Sequence, residues 1–221
     1  MSNTLPTLAV LGGTGHEGSG IAFRAALAGC KVVVGSRAAA RAAARAAELN
    51  AQAGSNHVSG AGLIEAAQQA QVVVLAVPYA AQVATAEQVR PALEGKVLID
   101  VTVPLKPPKV SLVQLPPEGS CVKALQDRLG TGVRVVSAFQ NVSAHALMNP
   151  NKPVDCDVLV CADDPEAKTI VRDLVTKMGL VAIDAGPLAN SVVSETLTSV
   201  LIHLNKTYKV PASGIRISGL R

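Results

Sequence analysis

The chain has 221 residues, of which 49% are hydrophobic and 16% charged, with a formal net charge of +4. A chain of this length can fold as one domain, residues 1–221. No apolar run reaches the ~20 residues that span a bilayer, and we expect no secretory leader. The mild positive charge without a dense basic tract, together with only two Phe and two Tyr, argues against nucleic-acid and membrane partners and favours a small anionic ligand in a cytoplasmic protein.

Predicted strands and helices alternate along the whole chain. In chain order they are strand Leu8–Leu11, helix Gly18–Ala28, strand Lys31–Val34, helix Arg37–Ala53, strand Val58–Ala61, helix Leu63–Ala70, strand Val72–Val77, helix Ala80–Leu93, strand Lys96–Val101, helix Val122–Leu129, strand Val133–Ala138, strand Asp157–Cys161, helix Pro165–Met178, strand Val181–Asp184 and helix Ser191–Tyr208. Continuous Val, Leu and Ile runs indicate strands that are covered on both faces, hence a parallel sheet. The pattern predicts an α/β, Rossmann-like, doubly wound and mainly parallel sheet, with a C-terminal extension that ends in a long helix.

A Pro-rich segment interrupts this alternation from Thr102 to Ser120. Five of its residues are proline, so we expect an extended loop, long enough to be functional. Two interpretations remain open for Val103–Pro117: it caps a ligand pocket, or it crosses the surface without a binding role.

Glycines dominate the turn between the first strand and the first helix. The candidate ligand contacts there are Gly12, Gly13, Thr14, Gly15, His16 and Glu17, followed by Gly18. Glycines at this place permit a tight turn and let the backbone approach a pyrophosphate, which the free N–H groups of the helix start can bind. The sequence therefore predicts a dinucleotide site; the alternative is a purely structural turn.

The end of the second strand favours NADP over NAD. An acidic residue normally binds the ribose 2′-hydroxyl of NAD there, but this chain has Ser36-Arg37, and Arg41 and Arg45 follow at intervals of four. Cations in the first turn of a helix oppose its dipole, which suggests that a phosphate lies between them and the helix. We predict that Ser36, as N-cap, joins Arg37 and Arg41 around a 2′-phosphate; the alternative is a solvated Arg/Ala face, which we expect of Arg45 alone.

The cysteines and histidines do not indicate a metal site. Only Cys156 and Cys161 are close in sequence, and on a strand they would point to opposite faces. Histidine spacing matches no metal motif. We expect buried, unreactive cysteines.

Seven segments resemble the F420-dependent NADP oxidoreductase family, also called NADPH-dependent F420 reductases, over nearly the whole chain. They are Leu11-Gly-Gly-Thr-Gly15, Val33-Val-Gly-Ser-Arg37, Leu75-Ala-Val-Pro-Tyr79, Val136-Ser-Ala-Phe139, Cys161-Ala-Asp-Asp164, Asp184-Ala-Gly-Pro-Leu188 and Ser194-Glu-Thr-Leu-Thr198. The chain departs from the archaeal pattern at His16-Glu17, where those members have Asn-Leu, at Gln140, where they have His, and at Ser143, where they have Pro.

The resemblance implies hydride transfer between NADP(H) and the deazaflavin coenzyme F420, without an obligatory catalytic side chain. It implies NADP contacts at Thr14, Gly15, His16, Glu17, Ser36, Arg37, Arg41, Val77, Pro78, Tyr79, Val83 and Ala144. It places the deazaflavin beside Ser137, Ala138, Phe139, Gln140, Asn141 and Val142 and under the tail at Ser213-Gly214, so that the part from about residue 133 completes the second-substrate pocket. Possible partners of its anionic tail are Lys152, Lys206, Lys209 and Arg216.

Several points stay open at this stage. Gln140 and Asn141 could bind the pyrimidine edge of the deazaflavin or simply bond nearby backbone. In the last helix an apolar stripe comprises Val193, Leu197, Val200, Leu201, Leu204 and Tyr208; it packs on its own core or, as we predict, on a second subunit in a homodimer. The rival functions are an NADPH-dependent reductase of another flavin or of an imine, and a non-catalytic NADP-sensing regulator.

Overall fold

The structure, a computed structural model, describes residues 5–220. In chain order its elements are β1 Leu8–Leu11, α1 His16–Leu27, β2 Val32–Ser36, α2 Ala39–Ala53, β3 Val58–Gly62, α3 Leu63–Gln69, β4 Val72–Leu75, α4 Tyr79–Val89, β5 Val97–Asp100, α5 Cys121–Leu129, β6 Arg134–Ser137, α6 Ala144–Leu147, β7 Asp157–Ala162, α7 Pro165–Lys177, β8 Val181–Asp184 and α8 Ser191–Tyr208. Single 3-10 turns lie at Arg90–Ala92 and Leu188–Asn190.

The strands form one eight-stranded sheet in the order β3-β2-β1-β4-β5-β6-β7-β8. Neighbouring strands are parallel except β6 and β7, which pair antiparallel. The order of the first six strands is that of a dinucleotide-binding fold, with the chain reversing direction across the sheet between β1 and β4. The predicted fold class is confirmed.

Each central strand is buried on both faces. In β1, Leu8 and Val10 join one core cluster, whereas Ala9 and Leu11 join the other. The first cluster packs against α1, α2 and α7, and the second against α3, α4 and α5. Burial on both faces is the physical reason for the unbroken apolar runs in the sequence.

The main differences from the predicted elements occur at helix starts. Helix α2 begins at Ala39, with Ala38 as its N-cap, so the prediction of a helix from Arg37 capped by Ser36 was wrong. The physical reason is that Ser36 still belongs to β2, where it pairs with Gly62, and its hydroxyl only accepts a 3.3 Å hydrogen bond from the N–H of Ala38. The short helix α6 was not predicted. Most other bounds agree to within two residues.

Two of the family-like segments fasten the last strands together. The side chain of Asp164 caps α7 by accepting a 2.7 Å hydrogen bond from the N–H of Ala167. Asp163 accepts one of 2.8 Å from the N–H of Leu188, and Asp184 binds both Lys168 and the N–H of Gly186. The Cys-Ala-Asp-Asp and Asp-Ala-Gly-Pro-Leu segments therefore have structural roles.

Helix α8 is held to the domain through polar side chains. Its buried Glu195 accepts hydrogen bonds from the hydroxyl of Ser120 at 2.6 Å and from the N–H of Cys121 at 2.8 Å, so it caps the N-terminus of α5. The amide of Asn141 donates to the carbonyl oxygen of Ser194 at 2.7 Å, and the hydroxyl of Thr198 donates to that of Gln140 at 2.7 Å. These bonds set the position of the C-terminal extension relative to the carboxyl ends of the strands.

Candidate functional site

The turn between β1 and α1 depends on three glycines. Gly12 has φ +81°, and a Cβ there would lie 2.2 Å from the carbonyl oxygen of Ala76. A Cβ on Gly13 would lie 2.8 Å from the carbonyl oxygen of Val10, and one on Gly18 would lie 2.7 Å from that of Gly12. No side chain caps α1, which leaves N–H groups of its first turn for an anion.

A cleft of about 590 Å³ opens in front of this turn, at the carboxyl ends of β1, β2 and β4. The predicted cofactor residues that line it are Gly12, Thr14, Gly15, Ser36, Arg37, Arg41, Val77 and Pro78. The wall also contains residues that sequence reasoning missed: Ala38, Leu63, Ala76, Ala81, Ala84, Thr85 and Gln88. Apart from Thr85 and Gln88 they are small or apolar residues without a local signal, and only the sheet order brings all seven to the cleft.

The other predicted cofactor residues lie outside this cleft. Gly13 is buried beneath the turn, and His16 lies in an adjoining cleft of about 340 Å³ together with Arg41. Tyr79 is half-buried and Val83 exposed on α4, while Ala144 begins α6. Burial and the nearby Cys121, Glu118 and Glu195 raise the pKa of Tyr79.

The arginines at the cleft have distinct environments. Arg37 and Arg41 are exposed at its rim, and neither forms an ion pair within residues 5–220. Arg45 instead donates to the hydroxyl of Ser19 at 2.8 Å and pairs with Glu48 at 2.5 Å. Arg45 therefore bridges α1 and α2, which corrects the expectation of a simply solvated side chain and leaves two free guanidinium groups beside Ser36.

Glu17 is an unusual acid in the first turn of α1. Its Oε1 is buried without a hydrogen-bond partner in the described part of the chain, and burial raises the pKa of the carboxyl to about 8. A neutral carboxylic acid is the form that a site without a compensating cation favours. The side chain of Glu17 is therefore not turned fully into solvent.

The residues predicted for the second substrate follow β6 and are mostly buried. Ser137 and Ala138 are completely buried, and Phe139 adopts φ +74°. Gln140 donates to the carbonyl oxygen of Asp100 at 2.8 Å, and the side chain of Asn141 binds α8. In the structure both amides thus serve the fold, while the Oε1 of Gln140 and the hydroxyl of Ser137 stay buried and unpaired within residues 5–220.

A smaller cleft of about 240 Å³ lies beside this segment. Its walls come from α6, from residues 149–156 and from the C-terminal tail; they include Ser143, His145, Lys152, Cys156 and Ser213. Lys152, Ser213 and Gly214 are the residues predicted for the second substrate that line it. The tail is positioned by a 2.7 Å hydrogen bond from the N–H of Asp157 to the carbonyl oxygen of Ile215. Arg216 pairs with Asp155 at 3.3 Å.

A buried acid at the end of β5 escaped the sequence analysis. Asp100 accepts 2.6 Å and 2.9 Å hydrogen bonds from the side chain of Gln82 and the N–H of Thr102, while burial raises its pKa to about 6. An acidic residue that ends an otherwise apolar strand was the available signal. Its hydrogen bonds join α4, β5 and the start of the Pro-rich loop.

The thiols do not form a reactive group. The four cysteines are buried and free, as predicted, and burial raises the pKa of each. Thiolates, the reactive form, are disfavoured in such surroundings. Across residues 5–220 there is no set of three metal-ligating side chains, and no helix long and apolar enough to cross a membrane.

Comparison with known proteins gives consistent results. A family model described as "NADP oxidoreductase coenzyme F420-dependent" matches residues 7–104. The F420-dependent NADP reductase of Methanothermobacter marburgensis is 41% identical over 220 residues, 96% of this chain and 98% of that protein. The F420-dependent NADP reductase of Methanocaldococcus jannaschii is 40% identical over 221 residues, with 96% and 98% covered.

A solved structure extends the similarity to three dimensions. The crystal structure of a candidate F420-dependent NADP reductase from Arthrobacter sp. FB24 superposes with a TM-score of 0.81 at 27% identity, covering 96% of this chain and 99% of that one. The likeness includes the C-terminal extension, because nearly the whole of both chains is aligned.

Proposed function

This chain belongs to the family of F420-dependent NADP reductases, and from that premise we propose that it transfers a hydride between NADP(H) and coenzyme F420. The observation that carries the proposal is the cleft at the carboxyl ends of β1, β2 and β4, where an uncapped helix start lies near two arginines that form no ion pair within residues 5–220. About 40% identity over nearly the full length of archaeal relatives identifies the reaction as that of an NADP-dependent oxidoreductase.

The pyrophosphate of NADP(H) belongs at the start of α1. The close approach between Gly12 and Ala76 leaves room for backbone but not for a Cβ, so the turn presents main-chain groups to the ligand. The 2′-phosphate then lies between Ser36, Arg37 and Arg41, since no acidic residue occupies the end of β2. Arginine is suited to this role because its planar group binds phosphate with two parallel hydrogen bonds.

The second substrate occupies the region from β6 to the C-terminal tail. The cleft beside α6 opens next to Ala144, where the resemblance places the nicotinamide. Within its mainly apolar wall, Lys152 and Ser213 suit the anionic and polar parts of F420. The buried Ser137–Val142 segment supports this wall from behind through its bonds to Asp100 and α8.

The chain contributes orientation more than acid–base chemistry. NADPH supplies the hydride and F420 accepts it, so the protein must hold two flat rings face to face and exclude water. Backbone at the strand ends, the rigid β6 segment and α8 provide that alignment. No nucleophile is required, in agreement with the buried state of all four thiols.

We further propose a homodimer formed through α8. This helix turns small polar residues toward the core, whereas Val193, Val200 and Tyr208 are 57%, 40% and 69% exposed. The edge strand β8 adds the exposed Val181. Such apolar surface on a single face is typical of a subunit interface. The single sheet and the reduced cysteines also support one domain and a cytoplasmic location.

A two-acceptor assay tests the proposed function. The protein is mixed with NADPH and either F420 or FMN, and the absorbance of NADPH and of the acceptor is followed. Turnover of F420 in preference to FMN is expected, because the relatives that are about 40% identical to this chain are F420-dependent NADP reductases. Brisk FMN turnover without F420 turnover would contradict the proposal and indicate another flavin reductase. NADPH binding without turnover of F420, FMN or a cyclic imine would instead indicate an NADP sensor.

A further inference from the structure

Glu17 is the one acid in the dinucleotide loop, and it lies in the first turn of α1. Gly15 is the N-cap of α1, so Glu17 is the second residue of the first turn, where a bound pyrophosphate meets the helix N–H groups. Three residues later on the same face, a Cβ on Gly20 would lie 2.8 Å from that of Leu147. The face that carries Glu17 is therefore the one packed against α6.

The surroundings of Glu17 offer it no compensating cation. Arg24 lies one turn beyond Gly20 on this face, but its guanidinium group bonds main chain instead. It donates to the carbonyl oxygens of Leu147 at 2.8 Å and of Asn149 at 2.5 Å. Other ionisable groups near this face are His16 on α1, His145 on α6, and Lys152, Asp155 and Cys156 in the segment after it. None of them forms an ion pair or hydrogen bond with Glu17 within residues 5–220, and the Glu17 charge contributes to raising the pKa of the Cys156 thiol.

We propose that Glu17 takes part in NADP(H) binding as a neutral carboxylic acid, so that its ionisation at alkaline pH weakens binding of the dinucleotide. The inference rests on the proposed function, because it needs the pyrophosphate at the start of α1. The two negative charges of the pyrophosphate then lie at the first helical turn that carries this carboxyl, whose Oε1 is buried without a hydrogen-bond partner within residues 5–220. The protonated acid avoids the repulsion that a carboxylate at this position would exert on the pyrophosphate.

The direction of the pH effect follows from linkage. Burial already raises the pKa of Glu17 to about 8 in the free protein, and the pyrophosphate raises it further in the complex because it is an anion. Binding therefore takes up a proton wherever free Glu17 is ionised, and affinity is lost as the pH rises through the pKa of the free state. With that pKa, the Kd of NADPH should rise about tenfold between about pH 7 and about pH 9.

The experiment compares the full-length protein with two variants. Glu17→Gln keeps the shape and the hydrogen-bond donor but cannot ionise. Glu166→Gln is the matched control, since Glu166 is also the second residue of a helix, α7, but is exposed and paired with Arg134. The fluorescence of bound NADPH gives Kd across the pH range. We expect the wild type and Glu166→Gln to lose affinity with pH in parallel, and Glu17→Gln to keep its neutral-pH Kd throughout.

A second measurement uses the unmodified protein alone. Calorimetric titration with NADPH in buffers of different ionisation enthalpy, at about pH 9, should report uptake of close to one proton per site. Three results would each overturn the inference. They are a Kd of the wild type that does not change with pH, a loss of NADPH affinity with rising pH that persists in Glu17→Gln, and the absence of proton uptake. If one of these three results appears while the protein still binds NADPH and reduces F420 at neutral pH, only the role of Glu17 is refuted. If the protein does not bind NADPH at neutral pH, the proposed function itself is refuted.

Discussion

The recognition of the 2′-phosphate rests on Arg37 and Arg41, and their joint replacement by alanine is the sharpest test of the cofactor assignment. Both guanidinium groups lie at the rim of the cleft at the carboxyl ends of β1, β2 and β4 and make no ion pair within residues 5–220. Their loss therefore removes ligand contacts without breaking bonds within the fold. The double variant should keep the stability of the wild type and lose affinity for NADPH.

The magnitude follows from the exposure of the two side chains. A hydrogen bond to a charged group contributes about 1.5–3 kcal/mol, and exposed arginines should give values near the lower end because solvent screens them. Two such contributions sum to roughly 3 kcal/mol, which is about a hundredfold in Kd. NADH has a hydroxyl in place of the phosphate, so its Kd should change less than about threefold.

The effect is measured as the Kd of NADPH and of NADH, each titrated against the wild type, the double variant and Arg172→Ala. Arg172 is exposed on α7, away from both clefts, and controls for the loss of surface charge. The discrimination between NADPH and NADH should also shrink as salt is added, because the contact is electrostatic and exposed. Equal losses for the two cofactors in the double variant would refute the placement of the 2′-phosphate and leave the arginines without a role in the cleft.

Three further changes test the loop, the extension and the interface. Gly12→Ala places a Cβ 2.2 Å from the carbonyl oxygen of Ala76 and should abolish NADPH binding in calorimetry, whereas Gly62→Ala, with no atom within 4 Å, should bind normally; equal binding would remove the steric argument. Glu195→Ala strips the acceptor from the start of α5 and should lower the free energy of unfolding by about 3 kcal/mol in urea titrations, since buried donors are left unpaired; an unchanged midpoint would contradict that role. Val193→Lys with Val200→Lys should halve the mass found by sedimentation while circular dichroism stays unchanged, and a persisting dimer would refute the α8 interface.

Much of the sheet could be read from local patterns. Val72–Leu75 and Val97–Asp100 were recognisable as strands because runs of Val, Leu and Ile satisfy burial on both faces. The glycines before α1 and the arginines after β2 were recognisable because they lie at fixed offsets from those runs. The four cysteines were expected to be buried, and they are.

The helix boundaries near the cleft were harder to predict from the sequence. Arg37 belongs to an Ala/Arg stretch with high helix propensity, yet α2 starts at Ala39 because pairing of Ser36 with Gly62 prolongs β2. Strand pairing is a contact between residues distant in sequence, and it outweighed a local preference. Helix α6, only four residues long, has too few turns for a periodic signal.

The sequence by itself determined the alternation of elements, the phosphate-binding turn and the absence of an acid after β2, because each is a local pattern of residue types. Only the tertiary structure decided that α8 buries Ser194 and Glu195 while exposing Val193, that Asp100 is buried and bonded to Gln82 of α4, and that the Oε1 of Glu17 is buried without a hydrogen-bond partner within residues 5–220. The physical reason is that burial and the pKa of an acid depend on which distant elements pack around it. Neighbours along the chain do not carry that information.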